Sequence, residues 1–343
     1  MGNLKPLTDD FGRQITYLRI SVTDRCNLRC VYCMPESGIS LLNHNEVISY
    51  EDILRLTGIL SKHGVNKIRI TGGEPLVRKG LTCLIENMGR IKGIEDISMT
   101  TNGILLEKYA SELYNAGLKR INISLDSLKE ERFCKITRMG SLKDVLTGIK
   151  LAKKTGFKPV KINTVLIRGI NDDEIIDFVN FAKEFELNLR FIEYMPMGGN
   201  IAEAVLSKEI EEKIRSEFDD FSLMIGNKAE DNAYNADVYS GVSRSFGFKD
   251  GKAVIGFISP LSEHFCGNCN RLRLTASGNL RPCLFYDNEY NIKDILKEND
   301  DEAVFEKVSG IIKLKRFKHN FNDKAEKKES LLWANDFMNG IGG

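Results

Sequence analysis

The sequence predicts an α/β fold: a partial (β/α)6 barrel, TIM-like but open along one side, with a smaller C-terminal α+β domain. Three observations predict it. Six strand-like runs alternate with amphipathic helix patterns over residues 1–200, as parallel strands joined by helical crossovers require. Each run finishes in small or polar residues, and chemistry at the carboxyl ends of many strands suits a barrel mouth better than one switch-point crevice. After about Gly198 the texture changes to shorter strands, which sets the expected domains at 1–200 and 201–343.

The first strand signal is "ITYLRISVT" (Ile15 to Thr23), ending at Thr23-Asp24. Ser49 with Asp52 offers a capping-box helix start, and Gly64 a stop. "KIRIT" (Lys67 to Thr71) runs into Gly72-Gly73-Glu74. "IEDISMTT" (Ile94 to Thr101) ends at Thr100-Thr101-Asn102, and "RINISL" (Arg120 to Leu125) at Ser124-Leu125-Asp126. The clearest helix, Ser141 to Thr155, puts Leu142, Val145, Leu146, Ile149 and Ala152 on one face. "VKINTVLI" (Val160 to Ile167) follows, and Asn171 with Glu174 offers the next helix start. "LNLRFIEYM" (Leu187 to Met195) closes the series. Beyond it come a helix from Ser207 to Glu217, a hairpin at Asp250-Gly251 and a second around Ser277-Gly278-Asn279. "NDKAEKKES" (Asn322 to Ser330) is a solvated charge run.

Apolar residues make up 42% and charged ones 28%, and the formal net charge is +1. That balance gives no bulk attraction to nucleic acid or to a membrane surface. No apolar run reaches membrane-spanning length and the N-terminus lacks a signal core, so a cytoplasmic protein is expected. Eight cysteines in a reducing compartment point to metal or redox chemistry rather than disulfides.

Cys26, Cys30 and Cys33 follow a C-x3-C-x2-C spacing in "CNLRCVYC". Three thiolates can hold three corners of a cubane iron–sulfur cluster and leave the fourth iron open to a small molecule. Structural zinc prefers closed sites in paired C-x2-C form, which this spacing does not match. A second trio, Cys266, Cys269 and Cys283, is spaced C-x2-C-x13-C, and here His264 could complete a Cys3His zinc site. Both metals stay open for it on spacing alone. Arg271 and Arg273 follow at alternate positions, so on a strand both guanidiniums point to one side, a fork for phosphate or carboxylate. Arg19, Lys67, Arg69, Lys161 and Arg190 also lie on predicted strands and can converge inside a barrel, where an anion must meet them. No G-x4-G-K-[ST] loop and no G-x-G-x-x-G after a strand is present. Cys83 and Cys134 are expected as small core residues, and Trp333 as a docking contact for the tail.

"CNLRCVYC" resembles the signature of the radical S-adenosylmethionine superfamily, and "TGGEPLVR" (Thr71 to Arg78) its GGEP motif. The two trios, "CNRLRLTASGNLRPCLF", "RFIEYMPMG" and the ending "MNGIGG" together resemble the GTP 3′,8-cyclase family of molybdenum cofactor biosynthesis, over nearly the full length. The resemblance implies two [4Fe–4S] clusters, with S-adenosylmethionine on the first and the guanine of GTP at the second. A 5′-deoxyadenosyl radical then removes the ribose C3′ hydrogen, the carbon radical attacks C8, and one-electron reduction gives the cyclised dihydroguanosine triphosphate. It implies that Cys26, Cys30, Cys33, Cys266, Cys269 and Cys283 ligate iron, and that Tyr32, Gly73, Ser124 and Met195 contact S-adenosylmethionine. For GTP it implies Arg19, Arg69, Thr100, Lys161, Arg271 and Arg273, with Lys67 and Arg190 as further triphosphate contacts. Arg19 and the terminal Gly342-Gly343 carry catalytic roles in that family. Implied partners are a one-electron donor such as flavodoxin or ferredoxin and, for the product, cyclic pyranopterin monophosphate synthase; the chain would act as a monomer or homodimer. Two rivals stand beside this reading: a radical maturase that modifies a peptide, and a non-catalytic module with zinc at both trios. The charged stretch "KHNFNDKAEKKES" departs from what the family leads one to expect.

Overall fold

The structure, a computed structural model, describes residues 5–195, 203–224, 243–263, 265–285, 288–318 and 340. Six parallel strands form its centre: β1 (Tyr17–Ser21), β2 (Lys67–Thr71), β3 (Asp96–Thr101), β4 (Arg120–Ser124), β5 (Val160–Leu166) and β6 (Asn188–Glu193). The crossovers carry α1 (Tyr50–Lys62), α2 (Leu81–Gly89), α3 (Leu106–Asn115), α4 (Glu130–Thr137), α5 (Leu142–Thr155) and α6 (Ile175–Glu184). After β6 come α7 (Ser207–Glu217), β7 (Ser222–Leu223), β8 (Ser243–Gly247), β9 (Val254–Ile258), β10 (Arg271–Leu274), β11 (Asn279–Arg281), β12 (Tyr290–Asn291) and α8 (Asp301–Lys313).

The strands form one sheet in the order β12-β11-β10-β1-β2-β3-β4-β5-β6-β9-β8-β7. The sequential β1-to-β6 run is the (β/α)6 partial barrel. Residues after 200 extend it at both edges, β10 pairing parallel with β1 and β9 parallel with β6. The two hairpins at Asp250-Gly251 and Ser277-Gly278-Asn279 form as β8–β9 and β10–β11.

Alternation along the strands separates two faces. Leu18, Ile20, Ile68, Ile70, Met99, Ile121, Ile123, Ile162, Leu189 and Phe191 are buried in the main core with the apolar stripes of the helices. The alternate positions are polar and line the concave side. Helix starts follow their caps: Ser49 accepts from the Asp52 N–H at 3.0 Å, and Ser141 from that of Asp144 at 3.4 Å.

Two expectations need correction. Asn171 does not cap α6, which begins at Ile175. Its amide instead donates to the carbonyls of Asp126 (2.7 Å) and Val165 (2.8 Å), because a buried loop must satisfy its backbone. Glu174 is likewise buried and accepts from Ser127 Oγ at 2.8 Å and Leu128 N–H at 2.7 Å. Cys83 is exposed rather than core, since α2 buries Leu81, Leu84, Ile85 and Met88 on its other face. Cys134 is half-buried, its thiol donating to the Gly140 carbonyl at 3.4 Å. Among the described residues no helix is long and apolar enough to cross a membrane.

Candidate active site

The first trio lies on the loop that leaves the carboxyl end of β1. A turn sets Cys33 beside Cys30, the Cys33 and Met34 N–H groups donating to the Cys30 carbonyl at 2.9 and 3.2 Å. Cys26 Sγ accepts from the Leu28 N–H at 3.4 Å and Asn102 Nδ2 at 3.9 Å. The end of β2 presses against this loop, with Gly73 N–H donating to the Thr23 carbonyl at 2.7 Å and Glu74 N–H to that of Arg25 at 2.8 Å. A Cβ on Gly73 would lie 2.3 Å from the Arg25 oxygen, so only glycine permits this approach. Glu74 is wholly buried and ties β2 to β3, accepting from Thr101 Oγ1 (2.7 Å), Asn102 N–H (2.7 Å) and Leu76 N–H (3.1 Å). Burial pushes its carboxyl up to about 7, against the pull of those donors. Tyr32 donates its hydroxyl to Asp126 at 2.6 Å, and burial holds Asp126 at about 6.

The three thiols feel one another: burial, then Asp126, Cys33 and Cys26, push the Cys30 thiol well up, and burial raises Cys26. Burial of this kind favours the protonated thiol, and the positive charge of bound iron would favour the thiolate. Three half-buried thiols from one loop, with N–H donors on Cys26, fit an iron–sulfur cluster. Among the described residues no three His, Cys, Asp or Glu side chains gather as a site for a single metal ion.

The concave face is cationic. In register across β10, β1 and β2 stand Arg273, Arg19 and Arg69, with Ser98 of β3 next in the row. Burial, followed by the Arg273 charge, takes the Arg19 guanidinium well below its ordinary range. Burial and Arg271 bring Arg273 to about 10. Tyr17, one level deeper, lies between Arg271 and Lys67 in register and accepts from Arg69 Nε. Thr100, Asn122, Lys161 and Asn188 form a second row, and Ser124, Asn163 and Arg190 a third. Lys161 is only 3% exposed.

The second trio occupies the opposite end of the sheet. Cys266 and Cys269 precede β10, which runs parallel to β1, and Cys283 follows β11, which runs back antiparallel. A five-residue strand such as β1 spans about 16 Å, so the concave arginines lie between the trios. Burial would raise the Cys269 thiol, but the Lys315 and Arg271 charges outweigh it and bring it below its ordinary value.

The structure thus brings Tyr32, Gly73, Ser124 and Met195 to the carboxyl ends of the strands, with the first trio; Arg190 shares the row of Ser124, and Thr100 that of Lys161. Arg19, Lys67, Arg69, Arg271 and Arg273 lie on the strands beside and below them. Gly342, Gly343, His264 and Trp333 lie outside the described residues. Sequence reasoning missed Glu74's carboxylate as a tie, Asp126 as the Tyr32 partner, and Glu193. Glu193 ends β6 fully buried and accepts from Ser207, Leu261 and Ser262 N–H groups at 2.9, 2.9 and 3.0 Å. Acidic residues at strand ends were the available signal.

A family model described as "Radical SAM superfamily" matches residues 20–182, and one described as "Molybdenum Cofactor Synthesis C" matches residues 187–321. Among curated relatives, the GTP 3′,8-cyclase of Thermodesulfovibrio yellowstonii is 51% identical over 90% of this chain and 94% of its own length. That of Petrotoga mobilis is 45% identical over 94% of this chain and 98% of its own. Among solved structures, Streptococcus suis SuiB bound to precursor peptide SuiA superposes with TM-score 0.60 at 16% identity, covering 95% of this chain and 76% of that one. Native anSMEcpe with bound AdoMet and Cp18Cys peptide gives TM-score 0.52 at 19% identity, covering 95% and 88%. At such identity the likeness is one of fold alone.

Proposed function

The chain belongs to the GTP 3′,8-cyclase family of radical S-adenosylmethionine enzymes, and on that premise we propose how its concave face turns GTP into (8S)-3′,8-cyclo-7,8-dihydroguanosine 5′-triphosphate, the first step of molybdenum cofactor biosynthesis. The observation that carries the site reading is the row Arg273, Arg19 and Arg69, cations at neighbouring positions on three strands between two thiol trios. Like charges side by side in a partly dry interior repel one another, and a triphosphate offsets that cost. The first cluster and S-adenosylmethionine, when bound, supply the 5′-deoxyadenosyl radical that takes the ribose C3′ hydrogen.

The protein's own part is placement. Cys26, Cys30 and Cys33 hold the first cluster; Tyr32, Gly73, Ser124 and Met195 hold S-adenosylmethionine beside it. Gly73 does so through backbone, since its missing Cβ is what lets the cysteine loop approach. Cys266, Cys269 and Cys283 hold a second [4Fe–4S] cluster, toward which the guanine faces. Arg19, Arg69, Thr100, Lys161, Arg271 and Arg273 bind GTP, with Lys67 and Arg190 on the triphosphate and Gly342-Gly343 completing the site. These contacts fix the ribose against the radical source and keep water away from it. The units are read as 1–200 and 201–343, the electron donor as flavodoxin or ferredoxin, and the product's recipient as cyclic pyranopterin monophosphate synthase.

A peptide-modifying activity is not favoured, because the peptide-bound neighbours share only the fold while the near relatives are GTP 3′,8-cyclases. Anaerobically reconstituted protein should release 5′-deoxyadenosine and the cyclised product only with GTP present. Deoxyadenosine release indifferent to GTP would count against the substrate.

A further inference from the structure

Lys315 follows α8 and is only 3% exposed. Its Nζ donates to the Arg271 carbonyl at 2.9 Å and to the Pro282 carbonyl at 2.6 Å. Arg271 lies two residues past Cys269, and Pro282 immediately precedes Cys283. The Lys315 charge also acts on the Cys269 and Cys283 thiols. Among the described residues Lys315 makes no ion pair with a carboxylate, and its buried charge lies beside the Cys269 and Cys283 segments. Its backbone is held as firmly. Arg13, anchored to Asp9 at 2.5 Å, donates to the carbonyls of Lys315 (3.3 Å), Arg316 (2.8 Å) and Phe317 (3.1 Å). The same guanidinium donates to the Cys266 carbonyl at 2.7 Å. Two basic side chains therefore join all three cysteine segments to one strap of chain, residues 315–317.

We propose that Lys315 is a positioning residue for the cluster at the second trio: it fixes the Cys269 and Cys283 segments at one spacing, and its buried charge beside them stabilises the reduced cluster. The inference rests on the reading that this trio holds a [4Fe–4S] cluster. Hydrogen bonds and positive charge near cluster sulfurs raise the reduction potential, because reduction adds negative charge there.

The test uses the full chain, reconstituted anaerobically as wild type, Lys315→Met, Lys315→Arg and a Cys266→Ala/Cys269→Ala/Cys283→Ala variant. Iron and sulfide are counted, and each cluster's midpoint is followed by EPR-monitored titration. S-adenosylmethionine identifies the first cluster by shifting its signal. Wild type should hold about eight irons and the triple variant about four. Lys315→Met should either lose the second cluster's iron or show a tenfold fall in its reduced-to-oxidised ratio at fixed potential, about 59 mV for one electron. Lys315→Arg should restore both readouts. A two-cluster wild type with an unaltered Lys315→Met midpoint overturns this proposal alone, as does Lys315→Arg no better than Lys315→Met. A wild type with no more iron than the triple variant overturns the two-cluster reading and the proposal with it.

Discussion

Gly73→Ala is expected to damage the fold and the first cluster together. The added Cβ would lie 2.3 Å from the Arg25 oxygen and 2.6 Å from its carbonyl carbon, both backbone atoms with no side chain to yield. An ordinary C···O contact is about 3.3 Å, so the cysteine loop and the end of β2 must part by about 1 Å. That separation breaks the Gly73-to-Thr23 and Glu74-to-Arg25 hydrogen bonds, now 2.7 and 2.8 Å long. Two such bonds at about 1 kcal/mol each, with about 1–3 kcal/mol for overpacking, give a loss of about 3–5 kcal/mol. The same movement displaces Cys26, which follows Arg25. Anaerobic denaturant titration by circular dichroism, with iron analysis, measures both consequences. Gly58→Ala is the control: it lies in α1, its Cβ would meet nothing within 4 Å, and helix propensity favours the alanine by about 1 kcal/mol. A Gly73→Ala protein with wild-type midpoint and full iron would refute the reasoning.

Burial raises Glu74 from 4.5 to about 7, so the folded chain binds that proton more tightly than the unfolded one. Its contribution is therefore full below about 4.5 and lost as pH rises through about 7, on the order of 3 kcal/mol at most. Glu74→Gln should flatten that slope, and a variant whose stability tracks wild type from pH 5 to 8 would contradict the assignment. Glu193→Gln turns an amide N–H₂ toward N–H donors of Ser207 or of Leu261 and Ser262, and should cost about 1–3 kcal/mol in denaturant titration. No loss there would mean the loop after β9 is held by other contacts. GTP at a hundredfold excess over its Kd should stabilise the wild type by about 2.7 kcal/mol without S-adenosylmethionine present. In Arg19→Met that gain should shrink, because one of the three cations in the row with Arg273 and Arg69 has gone. Undiminished stabilisation of the variant by GTP, read by anaerobic thermal shift, would remove Arg19 from the nucleotide site.

The β1-to-β6 series, the helix cap at Ser49, the helix from Ser141 and both hairpins were legible in the chain, because alternation, capping and turn chemistry act over a few residues. The cysteine spacings were legible for the same reason: a ligand loop is local. Asn171 and Glu174 misled for the converse reason, as burial gave their side chains distant backbone to satisfy. Arg19 and Arg273 are separated by most of the chain, yet they stand side by side because β10 pairs with β1. Pairing and register are set by which surfaces bury together, and no short stretch encodes that. So the sequence alone determined the donor atoms and the strands that carry them. Only the tertiary structure decided that the cations share one concave face, that the trios sit at opposite ends of it, and that Glu74, Glu193 and Lys315 hold the pieces in place. A lone buried charge has no meaning until the fold supplies its partners.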